Sequence, residues 1–353
     1  MPVHNFSRPR GRVVEITVES EALVGNMLGD PAIRPVAVYL PPGYDDGDDR
    51  YPLFVDLVGF TGSGFAHLNW KPYGESVPQR LDRLVEEGRM GPVITAFPDC
   101  FTSLGGNQYL NSVAMGRWED FLVDEMIPAL EAEFRLYLGR DHRALFGKSS
   151  GGYGALSHGL RRADVWGAIA CHSGDTAFDL CYRGDFPKTM RTLAEKGGID
   201  AFLEEFATAP KATDESLHLM MVLAMAASYD PDPGAPKGIR LPVDPETAEI
   251  DPERWAAWLA HDPVEMVGDP ARRDNLASLR GLYLDCGVND QYHLVHGARA
   301  LVRMLDEHGI EHRYEEFDDD HSAVDYRMDV SLPWLYAKVM GKRPPVRERR
   351  RRA

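Results

Sequence analysis

The chain is poor in cysteine, with 4 among 353 residues. Cys100, Cys171, Cys181 and Cys286 are too few and too scattered for a disulfide framework. No Cys-x-x-Cys spacing points to a metal, so buried free thiols are expected. Long apolar runs are lacking as well. The longest, LHLMMVLAMAA from Leu217 to Ala227, is too short to span a bilayer. The opening residues, MPVHNFSRPRGRVVEITV, hold no apolar h-region, which argues against a signal peptide and for a cytoplasmic protein. Basic charge is scarce outside the end of the chain. The formal charge is −16, of which KRPPVRERRRRA at 342–353 contributes +6, leaving −22 on the body. So acidic a body repels nucleic-acid phosphates and anionic membranes, which argues against both as main partners. The basic, Pro-containing end reads as a disordered tail. Homo-oligomerisation is left open.

What is present reads as one large α/β domain over 1–341. RVVEITVES and VAVYLPPGY alternate or close on a Pro-Pro-Gly turn, as strands do. YPLFVDLVGF, GPVITAFPDC, RALFG, VWGAIACHSG and RGLYLDCG are apolar runs suited to strands buried on both faces, and HRYEEF reads as a final strand. Between them lie helical patterns, among them one around Phe121, Leu122, Met126, Ile127, Leu130 and Phe134. Alternating strands and helices predict a mainly parallel sheet covered by helices. From 175 to 276 the alternation stops, and a helical insertion over one edge of the sheet is expected, able to act as a lid. Leu217, Met220, Met221, Val222 and Met225 are its candidates for an acyl pocket, although an ordinary helix core is the plainer reading.

The stretch LFGKSSGGYGAL joins a strand to a helix and contains Gly147-Lys148-Ser149-Ser150-Gly151, which fits G-x-S-x-G. A nucleophile in such a turn is crowded by the residues two before and two after it. That singles out Ser149, flanked by Gly147 and Gly151, over Ser150, which has Lys148 on one side. Ser150 then offers its backbone N–H to an oxyanion at the start of the helix.

A serine hydroxyl needs a base, and the base an orienting carboxylate. In the loop after RGLYLDCG stands Asp290, preferred to Asp285, which lies inside the strand. In the loop after HRYEEF stands His321, suited to moving a proton near neutral pH. His172, His261 and His296 have weaker claims, and the acidic run Asp318–Asp320 is too close in sequence to reach around to the imidazole. A second oxyanion donor is expected from the glycine-rich LVGFTGSG, as the N–H of Phe60 or alternatively of Thr61.

These segments, with VYLPPGY, FPDCFTSLGGNQYLNS, HSGD, DCGVNDQY and DDDHSAVDYR, resemble the Putative esterase family of α/β-hydrolases, which includes enterochelin esterases, S-formylglutathione hydrolase and the mycolyltransferases. The resemblance covers most of the chain. It implies the α/β-hydrolase fold and a triad of Ser149, Asp290 and His321. It also departs at one place: relatives commonly carry a histidine before the oxyanion-loop glycine, where this chain has Val58. The segment PDCFTSLGGNQY is expected to wall the site, with Thr61, Phe101, Gln108 and Tyr109 as candidate substrate contacts. The expected activity is hydrolysis of a small carboxylic ester or thioester through an acyl-enzyme, with no metal or organic cofactor. An acyltransferase, a peptidase and a non-catalytic binding protein are the competing readings.

Overall fold

The computed structural model describes residues 3–342. Of the basic tail expected at 342–353, all but Lys342 lies outside the described residues. The centre is a sheet of strands β1 Arg12–Glu19, β2 Ile33–Leu40, β3 Leu53–Leu57, β4 Ile94–Pro98, β5 Arg143–Lys148, β6 Ala168–His172, β7 Gly281–Gly287 and β8 Arg313–Phe317. Their order is β1-β2-β4-β3-β5-β6-β7-β8. β2 runs antiparallel to both of its neighbours, and every other pair is parallel. The apolar runs explain the burial. Every residue of β3, β4, β6 and β7 is buried, whereas β1, on the edge, is mostly exposed or half-buried.

The helices that matter below are α1 Val77–Glu86, α2 Ile127–Glu133, α3 Ser150–Arg161, α4 Phe186–Lys196, α5 Ile199–Thr208, α6 Asp214–Tyr229, α7 Pro252–Leu259, α8 Pro270–Ala277, α9 Leu294–Glu307 and α10 Met328–Val339. Alternation along each strand divides the side chains between two cores. Phe54, Phe146, Ala170 and Tyr283 pack against Leu81 and Leu84 of α1 and Leu332 and Leu335 of α10. Val55, Leu145, Ile169 and Leu284 pack on the other face with Leu130 of α2, Leu156 and Leu160 of α3, and Leu301 of α9.

The chain between β6 and β7 is helical and builds a third apolar core of its own. Phe178, Tyr182, Phe186, Tyr229, Trp255 and Trp258 meet there in mostly edge-on ring pairs. This core rests on Phe60, which follows β3, and on Tyr153, which follows β5. The segment therefore lies over the carboxyl ends of the central strands, not over one edge of the sheet as its sequence suggested. Its last part returns to the main body, where Met266, Val267 and Leu276 join the core beneath α3.

Candidate active site

Strand β5 ends at Lys148 and helix α3 begins at Ser150, so Ser149 carries the whole reversal, with φ 57° and ψ −125°. Its N–H donates to the His172 carbonyl at 2.9 Å, and its own carbonyl accepts from Tyr153 N–H at 2.8 Å. The glycines permit this turn by their lack of a side chain. A Cβ on Gly147 would lie 2.5 Å from the carbonyl carbon of Gly151, and one on Gly151 would overlap the Leu57 carbonyl. Ser149 thus occupies the strained position, and Ser150 is the buried first residue of the helix.

The loops after β7 and β8 pair with each other. Val288 N–H donates to the Phe317 carbonyl at 2.9 Å and Asn289 N–H to the Asp319 carbonyl at 3.1 Å. Gly287 is needed at this approach, because a Cβ there would overlap the Asp319 carbonyl. The pairing brings Asp290 to His321, with Oδ2 2.7 Å from Nδ1. The other carboxylate oxygen, Oδ1, accepts from Tyr292 N–H at 2.9 Å, and the Gln291 side chain accepts from His321 N–H at 3.0 Å. Tyr292 presents its ring edge-on to the imidazole, with centroids 4.9 Å apart.

Asp285 is engaged elsewhere. It accepts from Arg327 at 2.8 Å and from Tyr283 at 3.0 Å, and it pairs with His172 Nδ1 at 2.7 Å. His172 places its Nε2 2.9 Å from the Ser331 hydroxyl. Burial works against the Asp285 charge, but His172 and Arg327 outweigh it and hold the carboxyl below its usual range.

Ser149 and His321 line one cavity of about 490 Å³. Gly59, Phe60, Thr61 and Ser150 line it too. The loop after β3 comes close to the Ser149 hydroxyl: a Cβ on Gly59 would sit 3.5 Å from Ser149 Cβ. The Phe60 ring packs beneath Gly105 and Gly106 within the apolar core, and Gly106 N–H donates to the Phe60 carbonyl at 2.9 Å.

Of the four expected substrate contacts, only Thr61 lines this cavity. Phe101 is 41% exposed and faces outward, its carbonyl held by Arg34. Gln108 is fully buried, its amide donating to Asp175 at 2.9 Å and to Tyr229 at 2.7 Å. Tyr109 is turned beneath the loop after β3, where its hydroxyl donates to the Val58 carbonyl at 2.7 Å. The insertion supplies walls instead, with Cys181, Tyr182, Asp214, Leu217, His218 and Met221. Of the five apolar candidates on α6, Leu217 and Met221 reach the cavity, while Met220, Val222 and Met225 are buried in the core of the insertion.

Besides Asp214 of α6, two charged residues line the cavity outside the sequence expectations. Asp175, in HSGD after β6, is raised in pKa by burial, and Lys148, beside Ser149, is lowered by burial. The sequence signal for Asp175 was its place at the end of a strand next to the Ser149 strand. Among the described residues, no group of three or more His, Cys, Asp or Glu is gathered that could hold a metal ion. Nor is any helix among them long and apolar enough to cross a membrane.

A family model described as "Esterase: Putative esterase" matches residues 31–331. The chain belongs to this esterase family. Among curated relatives, Esterase Rv1288 of Mycobacterium tuberculosis is 35% identical over 146 residues, which is 39% of this chain and 28% of that protein. An endo-1,4-beta-xylanase/feruloyl esterase of Xylanibacter ruminicola is 26% identical over 170 residues, 47% of this chain and 22% of the relative. The esterase-family match thus spans less than a third of the length of these relatives. Among solved structures, a ferulic acid esterase superposes with TM-score 0.60 at 19% identity, covering 94% of this chain and 100% of its own. An S-formylglutathione hydrolase from Agrobacterium tumefaciens gives 0.57 at 17%, covering 95% and 98%. The esterase-family chain has the α/β-hydrolase fold.

Proposed function

We propose that this esterase-family chain is a serine hydrolase of carboxylic esters or thioesters, with Ser149 as nucleophile, His321 as general base and acid, and Asp290 as the orienting carboxylate. The observation that carries the reading is the 2.7 Å Asp290–His321 contact at the wall of the cavity that Ser149 also lines. With Nδ1–H donated to Asp290, the imidazole keeps its Nε2 lone pair for the serine proton. Ser149 Oγ then attacks the ester carbonyl, and the carbonyl oxygen, now negative, is held by the N–H groups of Ser150 and Phe60. His321 returns its proton to the leaving alcohol, or thiol, and draws one from water to release the acid.

The cavity, about 490 Å³, suits a small or medium ester and lies within the usual range for small-molecule sites. The names of the similar proteins, feruloyl and ferulic acid esterases and an S-formylglutathione hydrolase, extend the proposed substrates to aryl esters and thioesters. The test is turnover of p-nitrophenyl acetate by wild type and by Ser149→Ala. Loss of about 10⁴-fold or more in kcat is expected for the variant. Equal rates for the two proteins would overturn the reading.

A further inference from the structure

The loop that follows β3 lines the cavity beside Ser149. Tyr109 secures the Val58 carbonyl at 2.7 Å. A second tie closes the loop from end to end. Asp56, near the end of β3, is wholly buried, and its Oδ2 lies 2.6 Å from Nδ1 of His67. His67 sits in the single helical turn Gly64–Leu68, on the far side of the loop. The residues enclosed by this contact include Gly59, Phe60 and Thr61, all at the cavity wall.

The energetics single this pair out. Among the described residues, the other oxygen of Asp56, Oδ1, is buried with no hydrogen-bond partner, and His67 is the one direct partner of this carboxyl. A buried carboxyl is costly unless a partner donates a hydrogen bond to it. The remaining charges that bear on His67 are Lys71 and Asp325, which pair with each other. Asp325 follows His321 by four residues, so the same cluster links the oxyanion loop to the loop of the base.

We propose that Asp56 and His67 are positioning residues that clamp the loop between them, which carries the proposed oxyanion donor Phe60. The proposal rests on the esterase reading for its effect on rate. Neither residue touches the substrate. Their contact fixes where the Phe60 N–H points, and the oxyanion forms only in the transition state.

The test compares wild type with His67→Leu, which removes the donor to Asp56, and with His67→Gln, which keeps one and so tests the clamp even if His67→Leu folds poorly. Three quantities are measured: kcat and KM on p-nitrophenyl acetate, the inhibition constant of an aryl trifluoromethyl ketone, and hydrogen exchange across 57–66. In His67→Leu, kcat is expected to fall about 10- to 100-fold with KM within threefold. The ketone, whose adduct carries an oxyanion, weakens in proportion, and the loop exchanges faster. His67→Gln, whose amide still donates to Asp56, recovers most of each. A His67→Leu enzyme with wild-type kcat and wild-type ketone affinity would overturn the clamp. Should wild type turn over no acyl ester, the functional reading falls. Exchange then decides the clamp alone, and unchanged protection at 57–66 would sink it.

Discussion

Ser149 holds φ 57° and ψ −125°, a region that costs a residue with a Cβ about 1–3 kcal/mol. The Ser149–His172 backbone hydrogen bond holds it there, and Gly147 and Gly151 make room for so tight a turn. Ser149→Gly should therefore be more stable than wild type by about 1 kcal/mol, after allowing for the greater freedom of glycine in the unfolded chain. Differential scanning calorimetry should show a rise of about 1–2 °C for Ser149→Gly and none for Ser149→Ala, with esterase activity lost in both. A Gly variant that melts below the Ala variant would mean the turn stores no strain. The position of Ser149 was legible because the two flanking glycines have a steric reason. The contacts of Gln108 and Tyr109 were not. Both adopt left-handed backbone, with φ 57° and 58°, which turns one side chain into the core and the other beneath the loop. No local pattern of residue types announces such a pair.

Helix α6 shows the same limit one scale up. Its apolar run predicted a helix but could not say which residues face substrate, since nearly every side is apolar. Packing decides: Leu217, His218 and Met221, one turn apart, look into the cavity, while Met220, Leu223 and Met225 are sealed in the core of the insertion. The two faces should answer differently to mutation. Met221→Trp narrows the cavity and is expected to lower kcat/KM on butyl and longer acyl esters about 10-fold relative to acetyl esters. Met225→Ala should cost about 2–5 kcal/mol of stability and leave that ratio unchanged. A chain-length series and urea melts on both variants check the division, and a selectivity change in Met225→Ala would refute it. Other elements were legible to different degrees. The buried strands declared themselves as apolar runs. Helix α1 announces itself only at its start, where Ser76 and Gln79 cap it reciprocally in a Ser-x-x-Gln pattern. The placement of the insertion over the strand ends depends on tertiary contacts with Phe60 and Tyr153, which carry no local signature.

At the scale of the whole molecule, the candidate site depends on loops from opposite ends of the chain being fastened to one sheet. Asp285 is the fastening beneath the loops of Asp290 and His321. From β7 it engages His172 of β6 and Arg327, and Arg327 also donates to Glu315 of β8 at 2.6 Å. Arg327 follows the His321 loop and precedes α10, so this buried network ties that loop to three strands. Removing the Asp285 charge leaves Arg327 and His172 buried with less compensation, and Asp285→Asn should lose about 3–5 kcal/mol. The pH dependence follows from the sign of the shift. The folded protein holds this carboxyl below its usual value, so the unfolded chain takes up its proton first as pH falls. The stabilisation is complete above the ordinary carboxyl pKa of about 4 and disappears as pH falls through the lower folded value. Urea midpoints of wild type and Asp285→Asn, measured from pH 7 down to pH 3, should lie far apart at neutrality and converge below about pH 4. A gap that stays constant to pH 3 would show that the network does not depend on the Asp285 charge, and that the fold is tied together by packing alone.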